Sequence, residues 1–175
     1  AEQEAKMIGS LLGTAPLLGA AATKQAVLQQ IGQARLIHLA THGLLDDFQG
    51  LGVPGAIALA PTGNDNGLLS ASEILDLRLN AELVVLSACD TGRGAITGDG
   101  VIGLSRAIIS AGVPSVVVSL WSVPDAPTAR LMTEFYRQLQ TGSSKAGALR
   151  QAMLATLKEY PNPRDWAGFI LIGES

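Results

Sequence analysis

Five short runs dominated by Val, Ile, Leu and Ala constrain this chain more than any other feature: Arg35–Ala40, Ala56–Ala60, Leu83–Ala88, Ser115–Leu120 and Gly168–Ile172. Most are bounded by Gly, Pro or Asp, and their length and β-branched content read as buried strands. A strand facing water on one side alternates polar with apolar residues; these do not, which fits a parallel sheet covered on both faces. Segments with helical spacing lie between several of them: Lys24–Ile31, Val101–Ser110, Thr128–Gln140 and Lys145–Glu159. Asp125 before Ala126-Pro127 suits a helix N-cap with proline in the first turn, and Gly142 suits a stop after Gln140. Strands alternating with helices predict an α/β layered sandwich. With 175 residues, 47% hydrophobic and only 15% charged, the chain is expected to form one domain over 1–175 with a substantial core.

Charge and composition narrow the function classes. Twelve basic against 15 acidic residues leave a net charge of −3, so nucleic acid is not an expected partner. The longest uncharged window, Ala107–Pro124, is broken by Gly112 and Pro114, and no membrane span is expected. The opening AEQEAK lacks the basic region of a secretory signal, which makes the cytoplasm the expected location. A single cysteine, Cys89, excludes an intramolecular disulfide or a multi-cysteine metal site within this chain. No repeat or low-complexity tract interrupts it. The glycine-rich stretch from Leu44 to Asn66, with Pro54 and Pro61, reads as a mobile loop flanking one short strand, a place where function concentrates.

Two of the apolar runs end in reactive side chains. Leu36-Ile37-His38-Leu39-Ala40-Thr41 leads into His42-Gly43, and Leu83-Val84-Val85-Leu86-Ser87-Ala88 leads into Cys89-Asp90. In parallel sheets ligands bind at the carboxyl ends of the strands, where the loops diverge from rigid roots. A thiol there needs a base to become a nucleophile, and attack on an amide then needs a proton donor for the departing amine; one imidazole serves both steps. Gly43 permits close backbone approach, so its N–H and that of Cys89 are candidates for holding the oxyanion of a tetrahedral intermediate. The residues alone also allow a plainer assignment, with Cys89 a small buried hydrophobe and His42 a loop residue held by backbone. Asp90 is expected to point away from Cys89 and to be structural.

The blocks LIHLATHG, GLLSASEI, LVVLSACDTGRG and GDGVIGLSRAIISAGVPSVVVSLWSV, the Phe135-Tyr136 pair and DWAGFILIG resemble, in order and from about Gly13 to Gly173, the CHAT domain. This is a caspase-like (clan CD) cysteine peptidase family often joined to TPR repeats. The resemblance implies a caspase-like three-layer sandwich with a mostly parallel sheet flanked by helices on both faces. It implies a dyad of His42 as general acid/base and Cys89 as nucleophile, a protein substrate, no cofactor or metal, and TPR regions of the same or another chain as partners. It also implies that a segment carrying an early strand precedes Ala1 in a longer protein.

Ser119–Asp125 further resembles the strand-to-loop segment of the separases, caspase-like peptidases that cleave after arginine. That resemblance implies Asp125 as the floor of a pocket for Arg or Lys, where a partly desolvated carboxylate makes a bidentate contact. A helix N-cap is the competing role for Asp125. Trp121 is either a pocket wall or a core aromatic. Gly98-Asp99-Gly100-Val101-Ile102-Gly103 matches a dinucleotide fingerprint by letter, but Thr91–Thr97 separate it from the strand and Asp99 would repel a pyrophosphate; a helix start with close-packed glycines is expected instead. His38 and His42 lack a third metal ligand, and His38 reads as a satisfied core histidine. The competing function is a catalytically idle caspase-like platform within a TPR-containing signalling protein, against which the presence of both His42 and Cys89 argues.

Overall fold

A computed structural model describes residues 1–41, 43–44, 55–88 and 98–175. Its central sheet has four strands in the order β1 (Leu36–Thr41), β5 (Leu83–Ala88), β6 (Ser115–Ser119) and β7 (Phe169–Gly173). The first three are parallel, in register Leu36 to Leu83 and Val84 to Val116, while β7 runs antiparallel with Val117 opposite Leu171. The expected α/β sandwich with a mostly parallel sheet is therefore what the chain forms. No described helix is long and apolar enough to cross a membrane.

Strand alternation explains the three layers. Ile37, Val84, Val116 and Val118 project to one face, where Ile31 of α2 (Lys24–Ile31), Ile74 of α3 (Ala71–Leu75) and Leu104, Ala107 and Ile108 of α4 (Gly98–Ser110) pack on them. Leu83, Val85, Val117 and Phe169 project to the other. There they meet Ile8 of α1 (Glu2–Leu12), Leu131, Met132, Phe135 and Tyr136 of α5 (Asp125–Gln140), and Ala148, Leu149 and Ala152 of α6 (Lys145–Glu159). Apolar residues on both faces are why these strands show no polar alternation, and all five residues of β6 are buried.

Three short strands form a second, antiparallel sheet in the order β2 (Gly43–Leu44), β3 (Ala56–Ala58) and β4 (Leu68–Ser70). The run Ala56–Ala60 thus stops two residues early and belongs outside the main sheet. Gly67 explains part of the geometry: it takes φ +75° where an added Cβ would stand 2.4 Å from the Leu59 carbonyl oxygen, so only glycine fits the return from β3 to β4. Thr41 donates its hydroxyl hydrogen to the Ala58 carbonyl and ties the end of β1 to this sheet.

Helix α5 corrects one expectation. It begins at Asp125, with Pro124 as the N-cap residue, and Asp125 makes no capping bond. Pro127 sits one residue deeper than anticipated because the first-turn N–H groups have no intrahelical partner in any case, so its missing donor costs nothing there. The carboxylate of Asp125 instead lies in the first turn, at the positive end of the helix.

Candidate active site

The two strands that precede His42 and Cys89 in the sequence are neighbours in the sheet. β1 and β5 are adjacent and parallel, and their register pairs Ala40 with Ser87 and Thr41 with Ala88. Thr41 and Ala88 are the residues immediately before His42 and Cys89. The two strands therefore end side by side at the carboxyl end of the sheet, where the crevice of an open α/β sheet lies. His42, Cys89, Asp90 and the loop segment 45–54 themselves lie outside the described residues. Gly43 opens β2 opposite Ile57 of β3, directly beyond the end of β1.

The next strand contributes the other flank. β6 ends at Ser119, and Leu120–Pro124 lead into α5. The half-buried Trp121 packs against the core on the α5 face, and its indole N–H donates to the Arg164 carbonyl at 2.9 Å. Gly168 passes directly beneath the ring: a Cβ there would stand 2.9 Å from Trp121 Cε2. Asp125 is exposed at the start of α5.

Two of the competing motifs are accounted for. Gly98–Gly103 form the first turns of α4, whereas β5 has ended at Ala88, so the direct strand-to-glycine turn of a dinucleotide site is not formed. His38 lies on the α5 face of β1 with both ring nitrogens engaged, Nδ1 at 3.1 Å from the Tyr136 hydroxyl and Nε2 at 3.1 Å from Glu4 Oε1. Among the described residues no group of three or more His, Cys, Asp and Glu is placed to hold a metal ion. Sequence reasoning missed Glu4 and Tyr136 as polar partners, and Glu4 followed by Ile8 at helical spacing in α1 was the available signal.

The family model of the CHAT domain matches residues 1–174. The chain belongs to the CHAT domain family. Curated relatives include tetratricopeptide repeat protein 28 of Mus musculus, 35% identical over 206 residues, and its Homo sapiens counterpart at 34%. Each alignment covers 99% of this chain but 8% of the relative, so the chain spans only a small part of their length. Among solved structures, the Arg-specific cysteine proteinase gingipain R superimposes with TM-score 0.65 at 12% identity, covering 99% of this chain and 41% of that one. Separase in the Saccharomyces cerevisiae separase–securin complex superimposes with TM-score 0.64 at 14% identity, covering 99% and 11%. The chain thus shares the caspase-like fold of these two structures.

Proposed function

We propose that this CHAT domain is a cysteine endopeptidase that cleaves protein substrates after Arg or Lys. The observation that carries the reading is the pairing of Thr41 with Ala88 at the carboxyl ends of adjacent parallel strands, since these are the residues that precede His42 and Cys89 in the sequence. His42 takes the thiol proton, and the Cys89 thiolate adds to the scissile carbonyl carbon. The N–H groups of Gly43 and Cys89 hold the oxyanion. Collapse breaks the C–N bond as His42 returns the proton to the departing amine, leaving a thioester on Cys89. Water then attacks the thioester with His42 as base, releasing the acid and restoring the thiol. Asp125, exposed beyond the end of β6, receives the basic side chain before the scissile bond, with Trp121 as a wall. This reading requires no cofactor.

The test is hydrolysis of fluorogenic peptides ending in Arg, Lys or Asp by the complete protein containing this chain. Cleavage after Arg and Lys is expected, with loss of at least about a thousandfold in Cys89→Ala and His42→Ala. Asp125→Ala is expected to raise KM for Arg peptides far more than it lowers kcat. Cleavage that persists in Cys89→Ala would remove the proposal. A second reading, an idle caspase-like platform in a TPR-containing protein, draws support from the tetratricopeptide repeat relatives. A complete protein that cuts none of the peptides yet binds a protein partner through this domain would favour it.

A further inference from the structure

The polar chain Glu4–His38–Tyr136 stands out in the core on the α5 face. Glu4 is 1% exposed and Tyr136 1%, while the residues around them are Ile, Leu, Val, Met and Phe. A carboxylate oxygen only accepts, so Nε2 of His38 carries the hydrogen given to Glu4 Oε1, and Nδ1 shares a hydrogen bond with the Tyr136 hydroxyl. The His38 and Tyr136 rings meet edge-on with centroids 5.6 Å apart. Burial, reinforced by the Glu4 carboxylate, pushes the Tyr136 hydroxyl far above the ordinary phenol range, which keeps it a donor. The second Glu4 oxygen, Oε2, is buried and has no hydrogen-bond partner among the described residues.

Three apolar side chains of similar volume would stabilise this spot at least as well as a buried polar chain with one orphaned oxygen. What the polar chain adds is direction. Hydrogen bonds fix distance and orientation between elements, whereas apolar contacts tolerate sliding. Here the elements are α1, β1 and α5. His38 lies in β1, the strand that runs into His42, and Tyr136 lies in α5, the helix that begins with Asp125. Glu4 joins them from α1.

We infer that Glu4, His38 and Tyr136 are positioning residues that set the end of β1, the strand that runs into His42, relative to the end of β5, the strand that runs into Cys89. The inference rests on the Cys-His reading above. Tyr136→Phe then loosens the strand while keeping the ring, Glu4→Leu removes the acceptor, and Glu4→Gln keeps an oxygen for Nε2–H.

The experiment follows alkylation of Cys89 by iodoacetamide across pH in the complete protein, read by mass spectrometry on the peptide containing Cys89, beside unfolding midpoints of each variant. A His-paired thiolate reacts well below the free-thiol pKa of about 8.5. Glu4→Leu and Tyr136→Phe are expected to move the reaction midpoint up toward that value, by at least about half a pH unit each, and Glu4→Gln to keep it near that of the unaltered protein. Variants that fold and lose only stability, with an unmoved midpoint, would overturn the inference and leave the dyad intact. A midpoint equal to that of a free thiol in the unaltered protein, unchanged by His42→Ala, would remove the dyad and the positioning role together.

Discussion

Gly168 shows how closely one backbone atom governs the flank of the candidate site. Its peptide passes under Trp121 and gives its carbonyl to the Leu120 N–H at 2.7 Å, while a Cβ would meet Trp121 Cε2 at 2.9 Å, Trp121 Nε1 at 3.0 Å and Val123 Cγ2 at 3.0 Å. Val123 is fully buried, and the indole is held by its bond to Arg164, so neither neighbour yields without cost. Gly168→Ala is therefore expected to destabilise the domain by about 1–3 kcal/mol, the usual effect of overpacking. It should also shift tryptophan emission to the red as the Trp121 ring is levered outward. Urea unfolding followed by fluorescence checks both, and an unchanged midpoint would show that the ring moves freely. Trp121 is thus half-buried against the core and held by Arg164, and sequence alone left its role as core aromatic or pocket wall unresolved.

Between elements, the contact that fixes the small antiparallel sheet is the N-terminus of α3. Ser70 accepts from the Glu73 N–H, and Glu73 accepts from the Ser70 N–H at 2.9 Å, forming a capping box. Lys24 at the start of α2 donates to the same Glu73 carboxylate and to the Leu68 carbonyl, so one lysine joins α2, β4 and α3. Burial alone would raise the Glu73 pKa, but the bonds from Lys24 and Ser70 outweigh it and hold the carboxyl below its ordinary value of 4.5. Because the folded pKa is the lower one, the stability gained is present above the ordinary value and lost as pH falls through the depressed one. Glu73→Gln should therefore differ from the unaltered domain at neutral pH, and the gap should close on acidification. Ser70→Ala should cost about 0.5–2 kcal/mol at neutral pH, and because its hydroxyl also donates to Glu73, part of that cost should fade on acidification. Thermal unfolding of both variants from neutral to acidic pH measures this.

At the same scale, the sequence read the long elements well. Lys24–Ile31, Lys145–Glu159 and Leu83–Ala88 fall on their observed bounds, because caps and apolar periodicity agree there. β4, α3 and α1 went unread. The first two are three and five residues long, too short for a period to show, and they exist by pairing and capping instead. α1 was obscured by charged residues in its first turn, though of its buried positions, Glu4, Ile8 and Gly9, the first two lie four apart. The candidate site was legible as two strand ends, since reactive residues after apolar runs are visible in one dimension. That the two strands are neighbours, in register at Thr41 and Ala88, came only from the fold.

For the whole molecule, the three-layer arrangement makes α1 a structural member of the domain. The sheet has apolar side chains on both faces, and α1 covers part of the α5 face with Ile8, which is 4% exposed, and with the partly buried Leu11 and Leu12. It lies along α5, where Gln140 donates to the Leu11 carbonyl at 3.2 Å, and against β1 through Glu4. Deleting residues 1–12 would bare that apolar surface and strip His38 of its acceptor, costs that no other described element offsets. Since whole domains are stable by only about 5–15 kcal/mol, such a loss is enough to abolish cooperative packing. The deletion variant is expected to keep much of its far-ultraviolet circular dichroism, lose near-ultraviolet signal and bind an anilinonaphthalene dye, as a chain with secondary structure but loosened packing does. Ile8→Ala, a milder form of the same insult, should cost about 2–5 kcal/mol and remain cooperative. If the deletion unfolded as sharply as the unaltered chain, α1 would be an appendage and the positioning chain through Glu4 would have no hold on the sheet. If it loosens as expected, any activity at His42 and Cys89 depends on a helix more than thirty residues upstream in sequence, because one face of the sheet cannot be closed without it.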